Sequence, residues 1–98
     1  MYVYAYRGFE SLPLRYMYYA YILISDKDKG FYYGSTENIE TRISRHNAGS
    51  VRSTKHRRPL TLHYFEEYET RSEAVQRELY FKSKVGNIWL KQQGIICV

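Results

Sequence analysis

The sequence has a single cysteine, Cys97. One thiol excludes a disulfide framework and a cysteine-based zinc site within the chain, and a free thiol fits a reducing, cytoplasmic setting. No apolar run approaches the roughly 18 residues of a membrane span, and the N-terminus has no apolar block of the kind a secretory signal carries. Internal repeats and linker-like composition are also missing, so 98 residues make one domain with a modest core. Acidic residues are in the minority: 15 Lys and Arg against 10 Asp and Glu give a net charge of +5. A small basic domain suits a polyanionic partner, of which nucleic acid is the commonest.

What the chain has in excess is tyrosine, 12 residues of it. Tyrosine combines apolar area with a hydroxyl and suits a sheet or a wet interface, so most of these read as sheet core. Residues 1–16 differ from the rest. Tyr2, Tyr4 and Tyr6 alternate as in a short edge strand, but Gly8 and Pro13 break any element. Gly8-Phe9-Glu10-Ser11 is also what a transfer-RNA arm yields when translated in frame. This segment is expected to be an extension outside the domain, non-native or disordered, with Met17 as the natural start. The domain is expected over residues 17–92, followed by a tail, 93–98.

Tyr18–Ser25 is a continuous apolar and aromatic run rich in strand formers, and predicts a strand covered on both faces. Tyr19, Tyr21 and Leu23 share one face; Ala20, Ile22 and Ile24 share the other. The polar turn 26–30 ends in Gly30 and returns the chain into a second strand, Phe31–Thr36. Asn38 then predicts a helix N-cap, with Glu40 in the first turn and Gly49 as the terminating residue. Ile39, Arg42, Ile43 and His46 fall at i, i+3, i+4 and i+7, a single helical stripe. An arginine and a histidine therefore lie on the side that the isoleucines press against the sheet, while Glu40, Thr41, Ser44 and Arg45 face water.

Residues 50–59 form a basic loop with Arg52, Lys55, His56, Arg57 and Arg58. It reads either as a solvated loop or as a phosphate-contacting one. Leu60–Tyr68 alternates enough for a third strand, in which His63 reads as structural. Thr70 and Glu73 form a capping box opening a helix that should run to about Lys84. Its inward stripe is expected to hold Ala74, Val75, Glu78, Phe81 and Val85, with Gly86 breaking the helix and Ile88, Trp89 and Leu90 packing back. A carboxylate within an apolar stripe is costly unless paired or metal-bound. Glu78 is either that, or half of an exposed Glu78–Lys82 pair at i, i+4.

These residues resemble the GIY-YIG nuclease family, in particular its small stand-alone bacterial branch. Tyr19-Ala20-Tyr21 stands where the family has its first tripeptide, departing at its first two positions and keeping the functional tyrosine. Tyr32-Tyr33-Gly34 stands for the second, with Tyr33 replacing isoleucine. Arg42, His46 and Glu78 follow in the family's order. Residues 53–59 and 77–83 are also similar to that branch. The later asparagine that many members carry has no convincing counterpart; Asn87 is the only late candidate, and Asn47 reads as polarity at a helix end.

The resemblance implies an α+β fold: a small three-stranded, mainly antiparallel sheet flanked by helices, in the order β-β-α-β-α-α. It implies a metal-dependent endonuclease that hydrolyses phosphodiester bonds in DNA, in repair or processing, with RNA not excluded. One divalent cation, Mg²⁺ or Mn²⁺, would sit on Glu78. Arg42 would stabilise transition-state charge, Tyr21 would act on the attacking water with His46 as relay, and Tyr32 would orient water or phosphate. Arg45, Arg52, Lys55, His56, Arg57 and Arg58 would contact the nucleic-acid backbone. The chain is expected to act as a monomer or weak homodimer, away from membranes, with room for a protein partner that supplies specificity. Competing readings are a non-catalytic nucleic-acid-binding module on the same fold, and a tyrosine-rich scaffold in which Arg42 and Glu78 form a buried ion pair. An RNA-recognition sheet is disfavoured by element order.

Overall fold

The computed structural model describes residues 17–96; the expected N-terminal extension and the final two residues lie outside the described residues. The first strand, β1 (Tyr18–Ser25), is the centre of the molecule. The second, β2 (Phe31–Thr36), and the third, β3 (Leu60–Tyr68), pair with it on either side, both antiparallel, in the order β2-β1-β3. The central position explains the unbroken apolar run, since both faces of β1 are covered. Tyr19, Tyr21 and Leu23 enter one buried cluster with Ile39, Leu60 and Phe65. Ala20 and Ile22 enter a second with Tyr64, Phe81 and Leu90. The register on the β3 side shifts between Ile22 and Leu23. His63, in the strand segment that absorbs this shift, is tied to the Ile95 carbonyl, in keeping with a structural role.

The first helix, α1 (Ile39–Asn47), covers the Tyr21 face. Asn38 caps it by accepting from the Thr41 amide at 3.0 Å. Gly49, at φ +84, supplies the left-handed residue just beyond its end. The second face is covered by α2 (Arg71–Lys82) and α3 (Lys84–Gln92). The capping box at Thr70 and Glu73 is present in full.

Two details of this second face differ from expectation. The helix stops at Lys82 because Ser83 adopts an extended conformation and restarts the chain as the N-cap of α3. The phase of the apolar stripe is reset there, so Val85 is 67% exposed; Val75, one residue off the Ala74–Phe81 stripe, is 37% exposed. Gly86 does not break a helix but lies inside α3. A Cβ there would stand 1.8 Å from the Tyr80 carbonyl oxygen, so the glycine permits the close approach of the two helices. The expected tail packs back as far as it is described, with Ile95 and Ile96 buried in the α2–α3 core.

That core also holds a charge. Glu66 is nearly buried and binds Arg77 Nε at 2.8 Å, with the hydroxyls of Tyr64 and Tyr68 donating to its carboxylate. Burial pushes the Glu66 carboxyl up, but Arg77 and the two hydroxyls outweigh it and hold the group below the usual carboxylate range. The Arg77 guanidinium lies against Tyr80, Phe81 and Trp89, 4.6 to 5.2 Å from their ring centres. One ionic network thus ties β3 to α2 and α3.

Candidate active site

The site begins with one residue of β1. Tyr21 pairs in register with Gly34 of β2, and its phenol lies directly over that glycine. A Cβ at position 34 would be 2.5 Å from the hydroxyl oxygen, so only glycine leaves room for the ring. Tyr32 flanks Tyr21 on the same face, with ring centres 6.4 Å apart. The expected helical stripe of α1 then places two side chains over this pair. Arg42 donates from Nε to the Tyr21 hydroxyl at 3.2 Å, and His46 Nε2 lies 3.3 Å from the same oxygen. The His46 ring meets Tyr32 edge-on, with centres 4.8 Å apart. Tyr21, Tyr32, Arg42 and His46 therefore form one cluster.

The electrostatics follow from burial and from Arg42. Burial, opposed by the hydrogen bond from Arg42, pushes the Tyr21 phenol up to about 12. His46 is fully buried, and burial together with the nearby Arg42 charge lowers its pKa to about 4. Arg42 is held even more firmly in its charged form, chiefly by the hydrogen bond to Tyr21 and also by Tyr32. At neutral pH the cluster contains a neutral phenol, a neutral imidazole and one guanidinium that both tyrosines hold in its charged form.

Glu78 lies on the other side of the sheet from this cluster. It projects from α2, and its Oε1 accepts from Ser35 of β2 at 2.7 Å. Ser35 pairs with Ala20 and so points to the α2 face, whereas Gly34 points to the Tyr21 face. Among the described residues β2 is an edge strand, and the carboxylate and the Tyr21 cluster lie on its two faces. The Glu78 charge is felt at Tyr21, where it raises the phenol pKa. Arg42 is not a partner of Glu78; the second carboxylate oxygen binds Lys82 at 2.7 Å. Both sequence readings of Glu78 are thus realised together, a half-buried inward carboxylate and an i, i+4 ion pair. The buried Arg42–Glu78 pair of the scaffold reading is not formed.

The donor set fits a hard cation of the Mg²⁺ type. Among the described residues no group of three or more His, Cys, Asp or Glu side chains could enclose an ion. A single carboxylate, completed by substrate phosphate and water, is the arrangement such a cation accepts. Lys82 sits on a flexible stem, about half exposed, and can give up its place on Glu78.

The basic loop divides into an inner and an outer part. Arg57 is tied down: it binds Asp28 at 2.9 Å and the Phe31 carbonyl, and its own carbonyl accepts from Ser25. Arg58 donates to the carbonyls of Lys55 and Asn47. Arg45, Arg52, Lys55, His56 and Arg58 are exposed. Lys27, Lys55, His56 and Arg58 line an open concavity of about 490 Å³ beside Asn47 and Pro59.

Three contributors had no clear signal in the sequence, and a fourth, Gly34, was legible only as a motif letter. Gly34 makes room for Tyr21, and Ser35 orients Glu78. Asn47, expected only as end-of-helix polarity, clamps β3 to α1 by exchanging two hydrogen bonds with the Leu60 backbone, 2.7 and 2.8 Å long. Thr54 is fully buried, and its hydroxyl lies 2.8 Å from His46 Nδ1. Asn87, the late asparagine considered for the metal site, donates instead to the Tyr33 hydroxyl and the Phe81 carbonyl.

Comparison with known proteins places the whole of this region in one family. Residues 17–92 match the GIY-YIG catalytic domain. A UPF0213 protein of Staphylococcus haemolyticus is 45% identical over 67 residues, covering 67% of this chain and 80% of its own. One from Clostridium perfringens is 44% identical over 72 residues, covering 72% of this chain and 76% of its own. One from Pediococcus pentosaceus is 36% identical over 89 residues, covering 87% of this chain and 93% of its own. The solution structure of a UPF0213 protein from Bacillus halodurans, 28% identical, superposes with a TM-score of 0.48 over 79% of this chain and 84% of its own. The matched span runs from β1 through α3 and takes in the tyrosine pair, Arg42, His46 and Glu78, so the chain belongs to the GIY-YIG catalytic-domain family, among bacterial UPF0213 proteins.

Proposed function

We propose that this protein is a divalent-metal-dependent endonuclease that hydrolyses phosphodiester bonds in DNA, in repair or processing. The observation that carries the reading is the chain of contacts from Arg42 to Tyr21 to His46, three groups with complementary tasks around one oxygen. The Arg42 guanidinium binds the scissile phosphate and stabilises its added charge in the transition state. Tyr21 receives the proton of the attacking water, and Tyr32 orients that water or the phosphate.

The pKa values decide how Tyr21 can do this. With the phenol at about 12 and the imidazole at about 4, a resting proton transfer to His46 costs on the order of 10 kcal/mol. A free phenolate is therefore not an intermediate. The water proton passes to Tyr21 while the Tyr21 proton passes to His46, so that Tyr21 stays neutral and the imidazolium charge forms only as the water oxygen adds to phosphorus. Meanwhile the water oxygen forms its bond to phosphorus as the bond to the leaving oxygen breaks. Glu78 would hold the cation, Mg²⁺ or Mn²⁺, which when bound supplies Lewis-acid stabilisation of the departing oxygen.

Arg45, Arg52, Lys55, His56 and Arg58 form the outer cationic surface that follows the nucleic-acid backbone; Arg57 adds charge while anchoring the loop to the β1–β2 turn. These contacts address phosphates, so the domain alone selects DNA shape rather than sequence, and a protein partner would add selectivity. The Lys82–Glu78 ion pair favours one alternative, a nucleic-acid-binding module in which the carboxylate is permanently neutralised. A panel of branched, nicked, single-stranded and duplex DNA, with an RNA counterpart, separates the two. Cleavage of at least one form in Mg²⁺ or Mn²⁺, abolished by chelation, supports the nuclease. Binding without cleavage of any form supports the module.

A further inference from the structure

We propose that Thr54 is a positioning residue that accepts from His46 Nδ1 and, with Arg42 and Tyr21 acting at the other nitrogen, holds the tautomer whose Nε2 is free to accept the Tyr21 proton. The proposal deepens the reading of the site as a relay, and it rests on an accounting of hydrogens around two buried side chains.

Thr54 and His46 are both fully buried, and Tyr21 is 1% exposed. In the resting protein, before water and substrate meet Tyr21, each polar hydrogen among them therefore needs a protein acceptor. The Thr54 oxygen has two neighbours, His46 Nδ1 at 2.8 Å and the Val51 carbonyl at 3.4 Å. Tyr21 has two, His46 Nε2 and Arg42 Nε, and the latter can only donate. Two arrangements are conceivable. With the imidazole proton on Nε2, Thr54 donates to Nδ1, and the Tyr21 oxygen receives hydrogens from both His46 and Arg42. The phenol's own hydrogen is then left without an acceptor.

With the proton on Nδ1, every hydrogen is placed. Arg42 donates to Tyr21, Tyr21 to His46 Nε2, His46 Nδ1 to Thr54, and Thr54 to the Val51 carbonyl. The chain has one direction and ends on a backbone acceptor that cannot be reversed. The hydrogen bond made by one imidazole nitrogen sets the role of the other. Thr54 achieves this from within the basic loop, whose fold places it: its amide also donates to Val51, and the Lys55–Arg57 3-10 turn begins directly after it.

The test reads the tautomer directly, without activity. In the wild-type protein at neutral pH, ¹⁵N spectra of the His46 side chain should show a protonated Nδ1 and an unprotonated Nε2. Thr54→Ser should preserve this pattern. Thr54→Val, which removes only the hydroxyl, should shift the population toward Nε2–H and lower kcat about 10- to 100-fold with KM unchanged. A wild-type spectrum with the proton on Nε2 overturns the proposal, even if Thr54→Val fails to fold. So does a Thr54→Val protein that retains the wild-type tautomer and kcat. If no nucleic acid is cleaved, the nuclease reading fails while the tautomer measurement still decides the role of Thr54.

Discussion

Replacing Gly34 with alanine adds one methyl group at the point where β2 touches the Tyr21 phenol. The new Cβ would stand 2.5 Å from the hydroxyl oxygen and 2.6 Å from the ring carbon that bears it. Ordinary contact lies near 3.5 Å, so the phenol must retreat by about 1 Å. Its hydrogen bonds to Arg42 and His46 are already 3.2 and 3.3 Å long, and a retreat of that size breaks both. In a buried cluster the loss costs about 1 to 3 kcal/mol of stability, partly offset by the better strand propensity of alanine. The rate effect should be larger, a fall of about 100-fold in kcat, since a 1 Å misplacement of a reacting group has that consequence. The assay is a double-mutant cycle with Tyr21→Phe, in which kcat and thermal unfolding are measured for all four proteins. If Gly34 acts through the hydroxyl, adding Gly34→Ala to Tyr21→Phe leaves kcat nearly unchanged. Stability still falls, because the ring carbon remains in the way. Rate losses that multiply across the cycle would refute the reasoning and show that Gly34 serves the site by another route.

The depressed pKa of His46 makes stability pH-dependent. Unfolded chains take up the imidazole proton near pH 6.5 and the folded protein only near 4, so this contribution is present above 6.5 and is lost as pH falls toward 4. Its full size is about 3 kcal/mol. Urea midpoints at pH 7 and pH 4.5 should therefore converge in His46→Gln relative to wild type, and an unchanged pH dependence would contradict the assignment. Arg77→Met leaves the Glu66 carboxylate without its cation and removes the guanidinium from Tyr80 and Trp89. With Arg77 a quarter exposed, we expect a loss of about 2 kcal/mol by chemical denaturation, below the range of a fully buried pair.

Much of the frame was legible because it depends on local pattern. The apolar run Tyr18–Ser25, the capping residues Asn38 and Thr70, and the Ile39–His46 stripe each encode an element through period or capping chemistry, and each formed as expected. The inward direction of Arg42 and His46 followed from the same helical period. What stayed hidden depends on contacts between distant residues. Ser83 resets the helix by adopting one extended conformation, a change that periodicity across 70–85 does not register. Thr54 stands in a loop of exposed cations and is buried where its hydroxyl meets His46 of α1. Gly34 was legible as a motif letter, but its reason is the Tyr21 ring across the strand pair. Glu78 lies on α2 as expected, yet its bond to Ser35 on the face opposite Tyr21 required the sheet order. The ionic network of Glu66 and Arg77 joins residues from two elements and left no sequence periodicity to follow.

The central claim is that Glu78 holds a cation for phosphodiester cleavage by the Tyr21 cluster. The most direct measurement is nucleic-acid binding and cleavage by Glu78→Gln beside wild type, across a titration of Mg²⁺ and Mn²⁺. The substitution keeps size and the capacity to accept from Ser35, and removes the charge. The account predicts that cleavage falls by at least about 100-fold while binding stays within a few-fold and the fold is retained. Cleavage by Glu78→Gln at the wild-type rate and the wild-type metal dependence would contradict it.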